Sequence, residues 1–590
     1  MSDEIKHECA VALLRLLDSP AAAGGSGGIA PRSLSDPGGT LLSLLLEKQH
    51  NRGQDGAGAA VLSLSPEPGR PAWWIRKSAS ATALADLLGA IGRRPASPGE
   101  SLFLGHLRYA TYGRGDESFC HPFVHAEPRL DCTLFLAGNF NLTNTHELFE
   151  AFRKAGNHPA SSADGYLLCE LLAAELEGGR GIAAALRVAL PKLDGAFTLC
   201  GMTGDGWAFA VRDAHGIRPG WYHASPRAVA VASERPAIQA ALDCPTDAVR
   251  ELSPGVALLV SPAGEVRFER VLEPAEPRPC VFERIYFSRA NDADIHRERK
   301  ALGAALAAPL LRAVDFDLDR TFFSYIPNSA QVAFHGLLEA LWTEGLAEGR
   351  PVRFGQVAVK DAKFRTFIAD AAARREIGKH VYDVTYGLVR PGVDTLVVLD
   401  DSIVRGTTMR EAILPMLDRL GPKRIVIASS APPIRYPDCY GIDMSTLGEL
   451  VAFRALVNLL GDEAEAVLRA ALASAAPDSL AALYARFTEE QHAAEIARLL
   501  TPPGMRAEVI VVYQTVAALR AAVASPKSQV ASLSCDAAEG DLRPATCDPR
   551  GGIAAAGDWY FTGDYPTPGG YRVLRRSLEN HLARREGRSY

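Results

Sequence analysis

A chain of 590 residues with 63 Lys and Arg against 69 Asp and Glu carries a net charge of −6 and a pI of about 6.2, so the basic surplus of a generic nucleic-acid binder is missing. With 47% hydrophobic and 22% charged residues, it reads as a globular chain of several domains, at roughly 100 to 200 residues each, and not as a disordered one. No apolar run reaches the roughly 18 to 20 residues of a bilayer span. The acidic start (Asp3, Glu4), with Arg15 breaking the first apolar stretch, fits no export signal. Ten cysteines, never closer than twelve positions, offer no CxxC metal or redox spacing. A reducing cytoplasm is the expected location, with neither membrane nor nucleic acid as partner.

Cys9 lies at the head of an apolar stretch, ECAVALL, and residues 21–39 (AAAGGSGGIAPRSLSDPGG) hold almost no large apolar side chain. Such a segment cannot offset its chain entropy, which predicts a flexible surface insert. Short apolar stretches then alternate with turn residues at 101–109, 132–140, 196–203 and 228–234, with helical patterns at 166–176 and 182–190. This pattern predicts a layered α/β domain on antiparallel sheets. The Pro-rich LEPAEPRPC (272–280) marks a boundary near 280. Beyond it, strand candidates FFSYIP (322–327), DTLVVLDD (394–401) and RIVIASSAPP (424–433) alternate with amphipathic patterns at 297–313, 331–346 and 408–419. That order predicts βαβ units and a parallel sheet. Residues 461–500 are Ala- and Leu-rich, and 525–557 are loop-like.

The sharpest chemical signal is DTLVVLDDSIVRGTTMREAILPML (394–417): a strand, two acids at its end, a short loop and a helix. Ligands of parallel sheets bind beyond the strand ends, and a helix start offers N–H groups to phosphate. Gly406 lets backbone approach an anion, and Ser402, Thr407 and Thr408 offer hydroxyls. Asp400 and Asp401 would repel that phosphate, so they suit ribose hydroxyls or a metal between them. VVLDDSIVRGTT resembles the phosphoribosyl-pyrophosphate (PRPP) loop of type I phosphoribosyltransferases, and DDSIVRGTT in particular resembles that of the amidophosphoribosyltransferase family. The resemblance assigns PRPP contacts to Asp400, Asp401, Ser402, Ile403, Val404, Arg405, Gly406, Thr407 and Thr408. KFRTFIAD (363–370) adds Arg365, and the stretch after it, with Arg374, Arg375, Lys379 and His380, corresponds to a lid over pyrophosphate. SYIPNS (324–329) gives Ser329 a place with Asp400 and Asp401 at a magnesium site. APPIRYPDCYGIDM (431–444) and WYFTGDYPTPGGYRVL also resemble family segments.

In the first half, ECAVALL, HNRGQDGAG (50–58), GHLRYATYG (105–113), AGNFNLTN (137–144) and SADGYLLCELL (162–172) resemble, in order, an N-terminal-nucleophile glutaminase. The resemblance makes Cys9 the nucleophile, with its own α-amine as base once residues 1–8 are removed as a propeptide. Arg108 would clamp the glutamine α-carboxylate and Asp164 hold its α-ammonium. Asn139 and the N–H of Phe140 would form the oxyanion hole, and Arg52 and Thr111 shape the pocket. Two departures stand out: Ala10 and Phe140 occupy positions where the family has Gly, and either would be strained if a positive φ were required.

The expected architecture is α/β: a four-layer αββα glutaminase domain (9–275, insert 21–39), then a parallel-sheet phosphoribosyltransferase domain (280–460) and a helical and loop extension (461–590). The resemblance implies conversion of glutamine, PRPP and water to 5-phosphoribosylamine, glutamate and pyrophosphate, the first step of purine synthesis. It also implies Mg2+, purine-nucleotide feedback and a homo-oligomer. No iron–sulfur cluster is expected, because the close C-terminal cysteine pair of cluster-bearing relatives is missing. Two other readings stand beside this one: an ammonia-dependent transferase whose Cys9 is idle, and a PRPP-sensing regulator.

Overall fold

The computed structural model describes the chain except residues 1–7, 18–35, 67, 68, 70, 98, 111–114, 344, 345, 348, 361–381, 475–478, 524–556 and 585–590. Two antiparallel sheets build the first half. Strand Ala10–Leu16 is central in a seven-stranded sheet, paired with Glu100–Arg108 on one side and Ala228–Ala232 on the other. Leu134–Leu142 and Gly195–Thr203 pair along their full length in a six-stranded sheet.

Strand alternation makes this a four-layer sandwich. Val11 and Leu13 point inward to meet Phe135, Ala137, Cys200 and Met202 of the facing sheet. Their neighbours Ala10, Ala12 and Leu14 point outward, under helices Pro37–Glu47, Ala83–Arg93 and Arg235–Leu242. On the far side Leu134, Leu136, Phe197 and Leu199 lie under helices Asp164–Glu177 and Ile182–Ala189. Successive side chains of a strand face opposite sides, so two sheets with apolar residues at every position require helices on both outer faces.

The 21–39 insert ends sooner than its composition suggests. Asp36 caps the helix Pro37–Glu47, accepting from Gly39 N at 2.8 Å. A Cβ on Gly38 would lie 2.0 Å from the Phe103 ring. These glycines are packing residues at a helix start and not linker; 18–35 lie outside the described residues.

The second half is a five-stranded parallel sheet ordered Arg353–Phe354, Thr321–Tyr325, Thr395–Asp400, Arg424–Ser429, Glu508–Tyr513. Its last strand falls beyond 460, inside the stretch expected to be a separate extension, so that boundary is corrected: the sheet closes only at 513. Helices Val451–Leu460 and Glu489–Leu500 cover one face with it. The helical run expected at 408–419 is present but widens to a π turn at Met409–Ile413 before Leu414–Asp418. Pro415 cannot donate to the carbonyl four residues back, which favours that wider turn.

The C-terminal segment clasps the two halves together. Trp559 Nε1 donates to Asp438 at 2.8 Å, Tyr560 Oη accepts from Phe282 N at 2.6 Å, and Thr567 Oγ1 donates to Asp194 at 2.6 Å. Among the described residues, no helix is long and apolar enough to cross a membrane.

Candidate active site

Strand pairing assembles the first site. Ala10 lies opposite Leu107, so Cys9 sits beside the end of the strand that carries Arg108. The half-buried Cys9 Sγ accepts from Tyr109 N at 3.3 Å and faces Tyr109 O at 3.7 Å. Burial pushes the thiol up to about 11, with Arg108 pulling it down and Asp164 and Asp55 pushing it up. Cys9, Arg108 and Asp164 therefore lie within electrostatic reach of one another. Asp164 opens helix Asp164–Glu177, and its carboxyl is raised by burial, an environment that favours an arriving cation.

Asn139, 3% exposed, directs its amide to Glu8 Oε2 at 3.4 Å. Phe140 lies opposite Phe197, whose N–H and C=O both turn to Asp213, at 3.1 and 2.9 Å. The Phe140–Phe197 pair is thus the non-hydrogen-bonded kind. The Phe140 N–H accordingly points to the other strand edge, beyond the point where Phe123–His125 stops pairing. Neither Ala10 nor Phe140 has a positive φ, so the two departures from glycine carry no backbone strain.

Arg52 is held by acids from distant parts of the chain. It is fully buried and donates to Glu234 at 2.6 Å and to both oxygens of Glu283, at 3.0 and 2.5 Å. Its guanidinium is a strut that ties this end of the pocket to the two acids. Glu8 closes the site: its carboxylate pairs with Arg218, lies 3.9 Å from Arg52, and its carbonyl accepts from Gly53 N at 2.9 Å. Thr111 is outside the described residues.

The second site caps the parallel sheet. Asp401, 6% exposed, accepts from the hydroxyls of Ser329 and of Ser402, the latter at 3.0 Å, and its N–H donates to Asp400 Oδ1 at 2.9 Å. Burial raises the Asp401 carboxyl against those two hydrogen bonds. The following loop is anchored from behind. Ile403 and Val404 are buried in two different cores, Val404 O accepts from Val451 N at 2.9 Å, and Arg405 O accepts from Arg454 at 2.5 Å. Gly406 has φ +76°, and a Cβ there would lie 2.3 Å from Leu500; both its conformation and its space exclude a side chain. Arg405 donates to Glu449 at 2.7 Å and to Asp443 O at 3.0 Å. Ser402, Thr407 and Thr408 remain partly exposed on the loop and the first helical turn. Arg365 and the lid residues are outside the described residues.

Residues 117–240 match the family model described as a glutamine amidotransferase domain. The amidophosphoribosyltransferase of Escherichia coli K12 is 30% identical over 367 residues, 59% of this chain and 69% of that one. The amidophosphoribosyltransferase of Synechocystis is 32% identical over 386 residues, 62% of this chain and 71% of that one. The chain belongs to the amidophosphoribosyltransferase family. The solved glutamine PRPP amidotransferase from B. subtilis, complexed with ADP and GMP, shares the fold at a TM-score of 0.65 and 23% identity, over 95% of this chain and 97% of that one.

Several residues of this amidophosphoribosyltransferase-family chain escape motif reading. Asp55, inside the quoted HNRGQDGAG, accepts from Ala110 N at 3.1 Å and so fixes the turn after Arg108. Glu234 and Glu283 reach Arg52 across 182 and 231 positions; no local pattern could pair them. Arg299 is a second buried strut. It donates to the carbonyls of Arg284, Tyr286 and Ser288 at 2.9, 2.9 and 2.7 Å, and burial lowers it to about 10 while Asp401 supports its charge. The π turn Glu283–Phe287 therefore lies between Arg52 under the first site and Arg299 beside the second.

Proposed function

We propose that the chain catalyses the reaction its family is named for: glutamine, PRPP and water give 5-phosphoribosylamine, glutamate and pyrophosphate, opening purine synthesis in the cytoplasm. The reading is carried by one observation, that a single chain joins a Cys9 pocket to the acid–loop–helix cradle of 400–408. Residues 1–8 are removed first. While they remain, Cys9 has no free α-amine, and Glu8 occupies the Asn139 amide. Release supplies an amine of pKa about 8, roughly 10% free base at pH 7, far more than a lysine offers.

Arg108 and Asp164 then hold the two charged ends of glutamine. The Cys9 thiolate attacks the side-chain amide carbon, and Asn139 with the Phe140 N–H stabilises the tetrahedral oxyanion. Such donors typically contribute about 3 to 4 kcal/mol each. The C–N bond breaks, ammonia leaves, and water hydrolyses the thioester to glutamate. At the second site the ammonia lone pair forms a bond to C1 of PRPP as the C1–oxygen bond to pyrophosphate breaks. Asp400 and Asp401 hold the ribose hydroxyls, and Gly406, Thr407 and Thr408 the 5-phosphate. The donor set of Asp400, Asp401 and Ser329 is all oxygen, as a hard cation requires, and a magnesium ion there would neutralise the departing pyrophosphate. Ammonia passes internally, since in water at pH 7 it would protonate. Purine nucleotides are the proposed feedback ligands, in keeping with the ADP and GMP of the B. subtilis structure, and a homo-oligomer the proposed assembly.

The test is PRPP-dependent glutamate release from glutamine, with pyrophosphate followed in parallel, for wild type and Cys9→Ala. Matched release is expected in wild type. The variant should lose the glutamine route by on the order of 10⁴ or more while added ammonia still releases pyrophosphate. Pyrophosphate from ammonia alone in wild type would instead identify a transferase with an idle glutaminase, and no turnover with either nitrogen source would favour a regulator.

A further inference from the structure

Two buried histidines that the mechanism does not use lie directly behind the oxyanion strand. His106 and His121 stack with ring centroids 4.0 Å apart and planes 9° from parallel, at 0% and 7% exposure. Both hydrogen-bond the same residue: His106 Nε2 meets Gly138 O at 3.0 Å, and Gly138 N donates to His121 Nδ1 at 3.2 Å. Gly138 is the residue before Asn139. Residues two apart on a strand turn their polar groups to the same edge, so Gly138 and Phe140 face the edge that Phe123–His125 covers further along. The pairing of that strand stops at Phe123 opposite Leu136, and at Gly138, where the register would next bring the backbone of His121, the His121 ring takes the place of the ladder partner.

The hydrogen bonds also fix the protons. His121 Nδ1 is an acceptor, and His106 Nδ1 makes no hydrogen bond, so each ring carries its proton on Nε2 and both are uncharged. Burial supports this, lowering His106 to about 3 and His121 well below its ordinary range. The stack lies beside three of the residues assigned to the glutamine pocket. His106 is two residues before Arg108, the Phe140 ring lies 5.5 Å from His121, and a Cβ on Gly165, next to Asp164, would lie 3.2 Å from His121 Nε2.

We propose that His106 and His121 are positioning residues of the glutaminase: the stacked rings grip both polar groups of Gly138 and thereby aim the Asn139 amide and the Phe140 N–H at the oxyanion. The proposal rests on the assignment of Asn139 and Phe140 as the oxyanion hole.

The experiment places the acceptor on or off its mark. An Asn amide oxygen falls where His Nδ1 lies, and a Gln oxygen falls one atom further out. His121→Asn should keep glutamine kcat within about threefold of wild type, and His121→Gln should lower it about ten- to a hundredfold with glutamine KM within about twofold. Ammonia-dependent pyrophosphate release should stay at wild-type level in both, which reports an intact fold. Equal glutamine kcat in the Asn and Gln variants overturns the proposal, as does a matched loss of glutamine and ammonia activities in the Gln variant while the Asn variant is intact. Asn139→Ala is measured alongside. If it leaves glutamine kcat unchanged, the oxyanion assignment has failed; if it silences the glutaminase while the His121 pair are indistinguishable, only the histidine proposal has.

Discussion

The two sites are held in opposite ways. The phosphoribosyl cradle is, Ser329 apart, a contiguous strand, loop and helix start: its acids, its glycine and its other hydroxyls fall between 400 and 408, and its loop carbonyls are anchored from behind by Val451 and Arg454. The glutamine pocket is a meeting of separate strands. Cys9, Arg108, Asn139 and Asp164 come from four elements, and separate struts hold them: the half-buried Asp55, the buried Arg52 with Glu234 and Glu283, and the histidine stack. A contiguous site is only as mobile as its loop, whereas an assembled one depends on every strut. The glutaminase is accordingly the half that a distant event can switch, and the cradle the half that a single substitution disables.

The largest effect that tests this contrast is at Asp401. Asp401→Asn removes a carboxylate whose two oxygens accept from Ser329 and Ser402, and pyrophosphate release should fall by about 10² to 10³ with glutamine and with ammonia alike. Parallel assays with the two nitrogen sources check it. A loss confined to glutamine would break the contrast, because the cradle would then be acting through the other site.

Next comes the pH profile of Cys9. A thiol pushed up to about 11 by burial is only about one part in ten thousand thiolate at pH 7. In chain that still begins upstream of Glu8, iodoacetamide labelling of Cys9 should rise about a hundredfold from pH 7 to pH 9, without a plateau. Mature enzyme, with the α-amine free, should label much faster at pH 7. Mass spectrometry of the labelled peptide and of the N-terminus reads both. Equal rates for the two forms at pH 7 would mean that the α-amine is not the base.

The same contrast explains what could be read from the amino-acid order. DDSIVRGTT is legible because its chemistry is contiguous, so one string carries acids, hydroxyls and the glycine that φ +76° and Leu500 demand. The four-layer fold is legible because alternation in ECAVALL and SLFLGHLRY requires two buried faces. The struts are not legible: Arg52 reads as a pocket residue within RGQDGAG, and only folding brings Glu283 to it from 231 positions away. Arg405 reads only as part of its loop motif, and its partner Glu449, from the segment after APPIRYPDCYGIDM, is beyond any local pattern. Glu508–Tyr513 escapes as a strand because long helices separate it from Arg424–Ser429, and half-buried side chains blur its pattern.

The smallest expected effect concerns the connection between the sites. Arg299 holds the carbonyls of Arg284, Tyr286 and Ser288 and lends its charge to Asp401; Glu283 and Ser288 of the same turn hold Arg52. Filling the cradle changes the field at Asp401, and Arg299 is the buried cation placed to feel it. Arg299→Lys keeps the charge but loses the planar fork that spans several carbonyls at once. PRPP stimulation of glutamine hydrolysis should then fall about five- to tenfold, the scale of a typical coupling energy. Glutaminase without PRPP and pyrophosphate release from ammonia should each stay within about twofold of wild type. Glutamate release with and without PRPP, with the ammonia reaction as reference, measures all three. If the ammonia reaction falls in step with the stimulation, Arg299 is only a strut of the cradle; if the stimulation survives, the route between the sites runs elsewhere, and the Asn141 amide bound to Cys439 O at 2.7 Å is the next contact to sever.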